Sequence, residues 1–147
     1  MNYRPIASVD FIVIHCSATK ASADIGRKEI DRWHREKGWL EIGYHFVIRR
    51  DGTRELGRPE DKPGAHARGF NERSLGICMV GGVDDKLKPE ANFTTAQFRE
   101  LAKLVSELKA KYPKAKVLGH RDLPDVNKAC PSFDAPNWYA TGMPDQV

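Results

Sequence analysis

Two histidines and a cysteine are the residues of this chain whose types and positions could do chemistry together. His15 follows the apolar run Phe-Ile-Val-Ile at 11–14, and His120 follows a short apolar segment at 116–119. Cys130 lies ten residues beyond His120, in a loop that contains proline, aspartate and asparagine. Two imidazoles and one thiolate would give a zinc ion three protein ligands and leave its fourth position open, which is the pattern of a catalytic site.

The spacing of these residues does not define a metal site by itself. The sequence contains no HExxH or CxxC motif to anchor the set. His15 could equally be a strand-end histidine bonded to backbone, and Cys130 a small buried apolar residue. The three would meet if the strands before His15 and His120 run parallel and close together, because sites in α/β sheets form beyond the carboxyl ends of strands.

The elements that must position these residues alternate between strands and helices. Strands are predicted at 11–14, 44–49, 75–80 and 116–119, with an Asp-Gly hairpin turn at 51–52. Helices are predicted over 26–37, before Pro113 and after Asp134. This alternation predicts an α/β fold: a single domain with a central mixed β-sheet flanked by helices.

The helix before Pro113 has the strongest local signal. Thr94 and Gln97 form a capping box, and Phe93 and Phe98 are spaced as a hydrophobic staple. An amphipathic face then repeats through Phe98, Leu101, Leu104, Val105, Leu108 and Tyr112. Residues 57–74, by contrast, hold three glycines and two prolines without periodicity, and long loops of this kind tend to be functional.

Composition narrows the class of protein. A chain of 147 residues with 40% hydrophobic and 30% charged residues fits one globular domain over 1–147, with residues 1–9 as a flexible N-terminal arm. No apolar stretch approaches the roughly 20 residues of a membrane span. The net charge of +4 is spread along the chain, which disfavours nucleic-acid binding and suits an enzyme acting on an anionic polymer. Three cysteines form no disulfide framework, and the N-terminus has no secretory signal.

Several short motifs, taken in order, resemble one known family. They are IVIHCSAT at 12–19, GWLEIGYHF at 38–46, HARGFN at 66–71, SLGI at 74–77, and HRD at 120–122 with KACPS at 128–132. Together they closely resemble the zinc N-acetylmuramoyl-L-alanine amidases, a family that includes peptidoglycan-recognition proteins and the small endolysins of T-seven-type bacteriophages. The resemblance covers about residues 9–140.

The resemblance implies a function and a site. It implies one zinc ion per chain, held by His15, His120 and Cys130, and Tyr44 and Lys128 as catalytic residues. Zinc lowers the pKa of bound water to about 7 and polarises a carbonyl. The implied reaction is hydrolysis of the amide bond between N-acetylmuramic acid and L-alanine of the peptidoglycan stem.

Other polar and aromatic residues carry weaker expectations. His66 and Asn71 are predicted to line the substrate groove, with loop-bracing hydrogen bonds as the alternative. His45 points away from Tyr44 and is expected to be structural, whereas His34 is expected on the surface or in helix packing. The expected core contains the thiols of Cys16 and Cys78 and the indoles of Trp33, Trp39 and Trp138.

The resemblance also implies a biological setting. The expected partner is peptidoglycan, with a phage RNA polymerase as a second partner, and with no direct nucleic-acid or membrane binding. A monomer is expected, made in the host bacterial cytoplasm and acting on the wall once the membrane is permeabilised. The alternatives are a non-catalytic peptidoglycan-recognition module and a zinc peptidase of the stem peptide.

One departure stands out: the step from His120 to Cys130 is two residues longer than in the compact phage enzymes, which alters the pocket rim.

Overall fold

A computed structural model of the chain describes residues 5–6 and 8–147, within which strands and helices alternate as the sequence predicts. In chain order these elements are β1 (Phe11–Cys16), β2 (Thr19–Lys20), α1 (Arg27–Glu36), β3 (Phe46–Ile48), β4 (Arg54–Leu56), β5 (Ser74–Met79), β6 (Gly82–Val83), α2 (Thr95–Lys111), β7 (Lys116–Gly119) and α3 (Ala135–Ala140). Single 3₁₀ turns cover Asn71–Arg73 and His120–Asp122.

Five strands form one mixed sheet in the order β4-β3-β5-β1-β7. Strand β1 runs parallel to both β5 and β7, β3 runs parallel to β5, and β4 pairs antiparallel with β3 at the edge. Ile14 lies opposite Gly119 in the β1–β7 register. His15 and His120 therefore follow paired residues on neighbouring parallel strands, and the predicted mixed sheet is confirmed.

One side of this sheet, which we call the apolar face, packs against α2 and α3. It presents the alternate side chains Ile12, Ile14, Phe46, Ile48, Leu75, Ile77 and Met79. Helix α2 covers them with Phe98, Leu101, Leu104, Val105 and Leu108, and α3 adds Trp138. A strand buries every second residue on the same side, so this alternation dedicates the face to packing.

The opposite side, which we call the pocket face, carries Val13, His15, Val47, Gly76 and Cys78. Two smaller clusters cover parts of it. Ile30 of α1 packs with Val47 and Cys78, and Val13 packs with Ala67 and Leu123. The gap between these clusters leaves His15 accessible from a cleft.

The helix ends follow from local side-chain chemistry. Thr94 Oγ1 accepts from the Gln97 N–H at 3.1 Å, and Gln97 Oε1 accepts from the Thr94 N–H at 2.9 Å, so the predicted capping box forms. At α1 the Glu29 carboxylate accepts from the Gly26 N–H at 2.7 Å. Asp134 caps α3 through the Asn137 N–H.

Three details lie beyond the sequence prediction. Strand β1 continues through His15 to Cys16, because both pair with β5, so the prediction that it ends before His15 is wrong. The two-residue strands β2 and β6 pair with each other in a separate small sheet. In the predicted N-terminal arm, the Ile6 N–H donates to Asp61 O at 2.7 Å, and residues 1–4 and 7 lie outside the described residues.

No helix within residues 5–6 and 8–147 is both long enough and apolar enough to span a membrane.

Candidate active site

The three predicted metal ligands come together at one edge of the pocket face. One potential ligand atom each from His15, His120 and Cys130 lies within 4.8 Å of the other two. The imidazole centroids of His15 and His120 are 4.5 Å apart. Within the described part of the chain, this trio is the group of histidine, cysteine or carboxylate side chains that could hold a metal ion.

Backbone hydrogen bonds place Cys130 beside β1. The Cys16 N–H donates to Cys130 Sγ at 3.1 Å, and the Arg121 N–H donates to Cys130 O at 2.8 Å. Ser132 Oγ donates to Gly82 O at 2.8 Å and fixes the loop to β6. A loop that is distant in sequence is thereby held at the end of the sheet, where its sulfur faces the two imidazoles.

A cleft of about 690 Å³ opens over the trio. Tyr44 stands in its wall with its ring centroid 5.0 Å from that of His15. Lys128 lies on the rim with an exposed side chain, and Lys37 and Arg68 add two further positive charges to the lining. Both predicted catalytic residues therefore line the same cleft as the predicted ligands.

His66 and Asn71 also line the cleft, and both make hydrogen bonds within the protein. Asn71 Oδ1 accepts from the N–H groups of His66 and Ala67 at 2.9 and 2.8 Å. The His66 ring is buried, with Nδ1 2.8 Å from His15 Nε2 and Nε2 3.2 Å from Ser74 Oγ. Loop bracing, the alternative raised from sequence, is thus present for Asn71, while substrate contact stays a prediction for both.

His34 and Trp39 are cleft residues that the sequence reasoning missed. His34 is 8% exposed, and its Nδ1 accepts from the Gly43 N–H at 2.8 Å. Trp39 is 36% exposed, and its ring centroid lies 4.5 Å from that of His34. The prediction of a core position is therefore wrong for Trp39. It is confirmed for Trp138, which is 1% exposed. A signal for His34 was available, because it lies four residues after the buried Ile30 and hence on the same helix face.

His45 and the remaining cysteines are buried, as predicted. His45 lies on the same side of the sheet as Tyr44, with its ring 5.8 Å from that of His66, so the prediction that it points away from Tyr44 is wrong. His45 Nε2 donates to Lys62 O at 2.6 Å, and its Nδ1 accepts from the Gly76 N–H at 3.0 Å. Cys16 and Cys78 are buried free thiols.

Burial sets the protonation states in the cleft. It lowers the pKa of His15 and His120, and the neighbouring imidazole of His66 and the ammonium of Lys128 act in the same direction. Both rings therefore stay neutral at pH 7, as metal ligation requires. Burial also raises the pKa of Tyr44, so its hydroxyl remains a proton donor. The adjacent Cys16 thiol and burial raise the pKa of Cys130, so metal binding there would release a proton.

Fold and site together define a class of protein. A mixed sheet carries a histidine–histidine–cysteine trio at the floor of an open cleft, and the family described as N-acetylmuramoyl-L-alanine amidase matches residues 3–133 of the chain. The chain belongs to this family of peptidoglycan amide hydrolases, whose members are in general zinc-dependent.

Within the family, the chain is similar to phage endolysins. It is 54% identical to the endolysin of Enterobacteria phage K11 over 129 residues, covering 88% of this chain and 84% of that protein. It is 50% identical to the endolysin of Escherichia phage T7 over 139 residues, covering 95% and 91%. These relatives confirm the predicted class of enzyme, an endolysin-type amidase.

Solved structures support the same assignment. The amidase LysC of Clostridium intestinale superposes with a TM-score of 0.73 at 31% identity, covering 95% of this chain and 91% of that one. The Ph2119 endolysin of a Thermus scotoductus bacteriophage superposes with a TM-score of 0.77 at 27% identity, covering 97% and 90%.

Proposed function

We propose that this chain cleaves the amide bond between N-acetylmuramic acid and L-alanine with one zinc ion held by His15, His120 and Cys130. The observation that carries the proposal is the convergence of their three ligand atoms within 4.8 Å on the floor of the cleft. Catalytic zinc sites use three protein ligands and keep one position open for water or substrate.

The donor set suits zinc. Two neutral imidazole nitrogens and one sulfur match its preference for nitrogen and sulfur ligands. The Cys16 N–H directed at Cys130 Sγ stabilises negative charge on that sulfur. When bound, zinc supplies a hydroxide nucleophile at neutral pH and polarises the scissile carbonyl.

Tyr44 and Lys128 are proposed as the catalytic side chains beside the metal. Tyr44 keeps its hydroxyl proton, and its ring lies in the cleft wall 5.0 Å from that of His15, which suits donation of a hydrogen bond to the developing oxyanion. Lys128 is exposed on the rim, where its ammonium can reach the leaving nitrogen or the peptide stem. Because Tyr44 lies deeper in the cleft than the exposed Lys128, we assign stabilisation of the oxyanion to Tyr44.

The substrate groove is proposed to run along the rest of the cleft. His66 and Asn71 line it, and three cationic side chains on the rim outnumber the single carboxylate of Asp125; they are those of Lys37, Arg68 and Lys128. A peptide stem bearing carboxylates is complementary to such a rim, and the net charge of +4 favours its approach.

Mass analysis of digested peptidoglycan tests the reaction. Purified wild-type protein should release intact peptide stems with a free N-terminal alanine and leave the glycan strands whole. A chelator should abolish this release, and stoichiometric zinc should restore it. Cut stems would indicate a peptidase, and the absence of products with bound peptidoglycan would indicate a recognition module. Either result contradicts the proposal, as does full activity of a metal-free His15→Ala protein.

The biological setting is part of the same proposal. The chain acts as a monomeric, single-domain endolysin that is made in the host cytoplasm and reaches the wall after the membrane is permeabilised. Its 50% identity to the endolysin of phage T7 supports this role. Size-exclusion chromatography with light scattering should give one chain per particle, and a dimer mass would contradict the monomer.

Binding to a phage RNA polymerase is proposed as a second role, supported by the same similarity. A single-subunit phage polymerase should retain the chain in a low-salt pull-down. Failure to retain it would remove this role and leave the amidase proposal untouched.

A further inference from the structure

A chain of hydrogen bonds runs from the backbone of the 57–74 loop to the metal-site histidine of β1. Ser74 Oγ lies 2.8 Å from Phe70 O and 3.2 Å from His66 Nε2. His66 Nδ1 in turn lies 2.8 Å from His15 Nε2. Ser74 is fully buried, and His15 and His66 are at most 9% exposed, so water does not compete for these bonds.

The hydrogen bonds from Phe70 to His15 can be donated in only one direction. Phe70 O is a carbonyl and only accepts, so it takes the single hydroxyl proton of Ser74. Ser74 Oγ must then accept from His66 Nε2–H. A neutral imidazole has one N–H, so His66 Nδ1 is an acceptor, and the proton between the two rings belongs to His15 Nε2. The nitrogen of His15 left with a free lone pair is Nδ1.

The protein makes room for this arrangement with two glycines. A Cβ on Gly76 would stand 2.6 Å from Cγ of His66, and a Cβ on Gly64 would stand 2.6 Å from its Cδ2. Both distances are shorter than real Cβ contacts. The His66 ring therefore occupies the space that a Cβ at position 64 or 76 would need. The Asn71 carboxamide also fixes the His66 backbone N–H at 2.9 Å. The ring is thereby held in place from several sides.

We propose that His66, oriented by Ser74, is a positioning residue that fixes His15 as the Nε2–H tautomer and aims its Nδ1 at the metal. This inference rests on the proposed function, in which His15 is a zinc ligand. Partners that hold the second nitrogen of a ligand histidine set its tautomer and ring orientation. Both ring nitrogens of His66 are used inside the protein, so the ring offers a substrate only its C–H edge.

The expected effects separate variants by hydrogen-bonding capacity. His66→Leu removes the acceptor for His15 and should weaken zinc binding by about 10–100-fold, the usual loss for an outer-shell partner. His66→Gln keeps one acceptor and one donor and should recover most of that affinity. Ser74→Ala removes the side-chain acceptor of His66 Nε2–H but keeps the Ser74 backbone near that ring, so it should fall between the wild type and His66→Leu.

His45 provides a matched control. Its ring is buried like that of His66, lies 5.8 Å from it, and makes two hydrogen bonds to backbone groups. His45 makes no hydrogen bond to His15 among the described residues. His45→Gln should therefore lower the free energy of unfolding while zinc affinity stays at the wild-type value.

Three measurements test the proposal. Competition with a chromophoric chelator gives the zinc affinity of each variant, and urea unfolding shows which variants are folded. Long-range ¹H–¹⁵N NMR of the metal-free wild type reports the tautomer of His15, which should be Nε2–H. In Ser74→Ala the same signals should show a mixture of tautomers.

The outcomes separate this proposal from the zinc proposal itself. A folded His66→Leu protein with wild-type zinc affinity, or an Nδ1–H tautomer of His15 in the metal-free wild type, would overturn the positioning role. If His66→Leu does not fold, Ser74→Ala and the tautomer measurement decide. A wild-type protein that binds no zinc would refute the proposed function, and the tautomer of His15 would still test the hydrogen-bond chain.

Discussion

The two faces of the central sheet are built from the same strands, but one face packs in the core and the other lines the candidate site. On β1, Ile12 and Ile14 enter the apolar face, while Val13 and His15 enter the pocket face. The apolar face is covered by α2 and α3, and the buried side chains of that cluster are hydrophobic. The pocket face is covered by α1 and by loops, and this side of the molecule carries four buried histidines, at positions 15, 34, 45 and 66.

This difference separates stability from chemistry within single strands. Alternate residues of one strand share a backbone but not an environment, so a change on one face need not disturb the other. The apolar face should therefore set the free energy of unfolding, and the pocket face should set metal affinity, rate and acid sensitivity. Each prediction below challenges that separation.

The largest effect is expected from Phe98→Ala on the apolar face. Phe98 is 1% exposed and packs edge-to-face on Phe133 at 5.3 Å, so its truncation should lower the free energy of unfolding by about 3–5 kcal/mol. Urea denaturation measures the loss. Zinc affinity of the protein that remains folded should be unchanged, and a parallel fall in affinity would show that the faces are coupled.

Tyr44→Phe on the pocket face should lower the rate of hydrolysis and leave the free energy of unfolding nearly unchanged, the reverse of Phe98→Ala. Loss of the hydroxyl should slow amide hydrolysis about 10²–10³-fold, the usual cost of removing one oxyanion donor. Zinc affinity and the free energy of unfolding should change little, because the ring remains. Tyr112→Phe is the control, since that hydroxyl donates to Glu60 at 2.7 Å, away from the cleft. A Tyr44→Phe enzyme with the wild-type rate would end the oxyanion role.

Acid sensitivity should also belong to the pocket face. Burial, helped by the charges of Lys37 and Arg58, lowers the pKa of His34 to about 4. The unfolded chain, with its histidine pKa near 6.5, binds this proton more readily, so stability falls as the pH drops from about 6.5 to about 4. His34 should account for roughly 2–3 kcal/mol of that fall, at about 1.4 kcal/mol per pH unit.

The variant His34→Asn isolates this contribution. Asparagine keeps an acceptor for the Gly43 N–H but cannot be protonated. Urea unfolding of the metal-free proteins at pH 7 and pH 4.5 should show a smaller loss for the variant than for the wild type. Equal losses would mean that His34 binds a proton as readily in the folded state as in the unfolded chain.

The smallest effect is expected at a helix end that serves the apolar face. Thr94→Ala removes the cap of α2 and should cost about 1 kcal/mol of unfolding free energy. Thr94→Ser keeps the oxygen and should retain most of the stability. Amidase rate should be the same in both variants, measured on peptidoglycan at a temperature where both are folded. An unchanged stability in Thr94→Ala would show that Gln97 alone holds the first turn.

Local rules predicted the apolar face well. The capping box at Thr94 and the proline at 113 bracket a predicted helix that the structure places at Thr95–Lys111. Its apolar repeat matched the side chains that cover the sheet. Such signals are readable because cap, periodicity and stop all lie within one stretch of sequence.

The pocket face was less accessible to the same rules. Spacing alone left the trio of His15, His120 and Cys130 undecided, and the ordered motifs of the family were needed to connect it. His34 lies four residues after Ile30 on the buried face of α1, but its hydrogen bond from the Gly43 N–H crosses a turn that periodicity does not describe, so its place in the cleft was missed. The bond between His66 and His15 joins residues 51 positions apart and has no local signature.

The position of Cys130 in the chain has a consequence in time. The sulfur reaches the backbone of Cys16 only after every strand of the sheet has been made, because its loop follows β7. A ribosome therefore makes every strand of the sheet before it makes Cys130, and His15 of β1 is synthesised long before His120 and Cys130, the other two proposed metal ligands. Throughout that interval the nascent chain lacks the full trio, so the proposed metal site cannot form until Cys130 has been made.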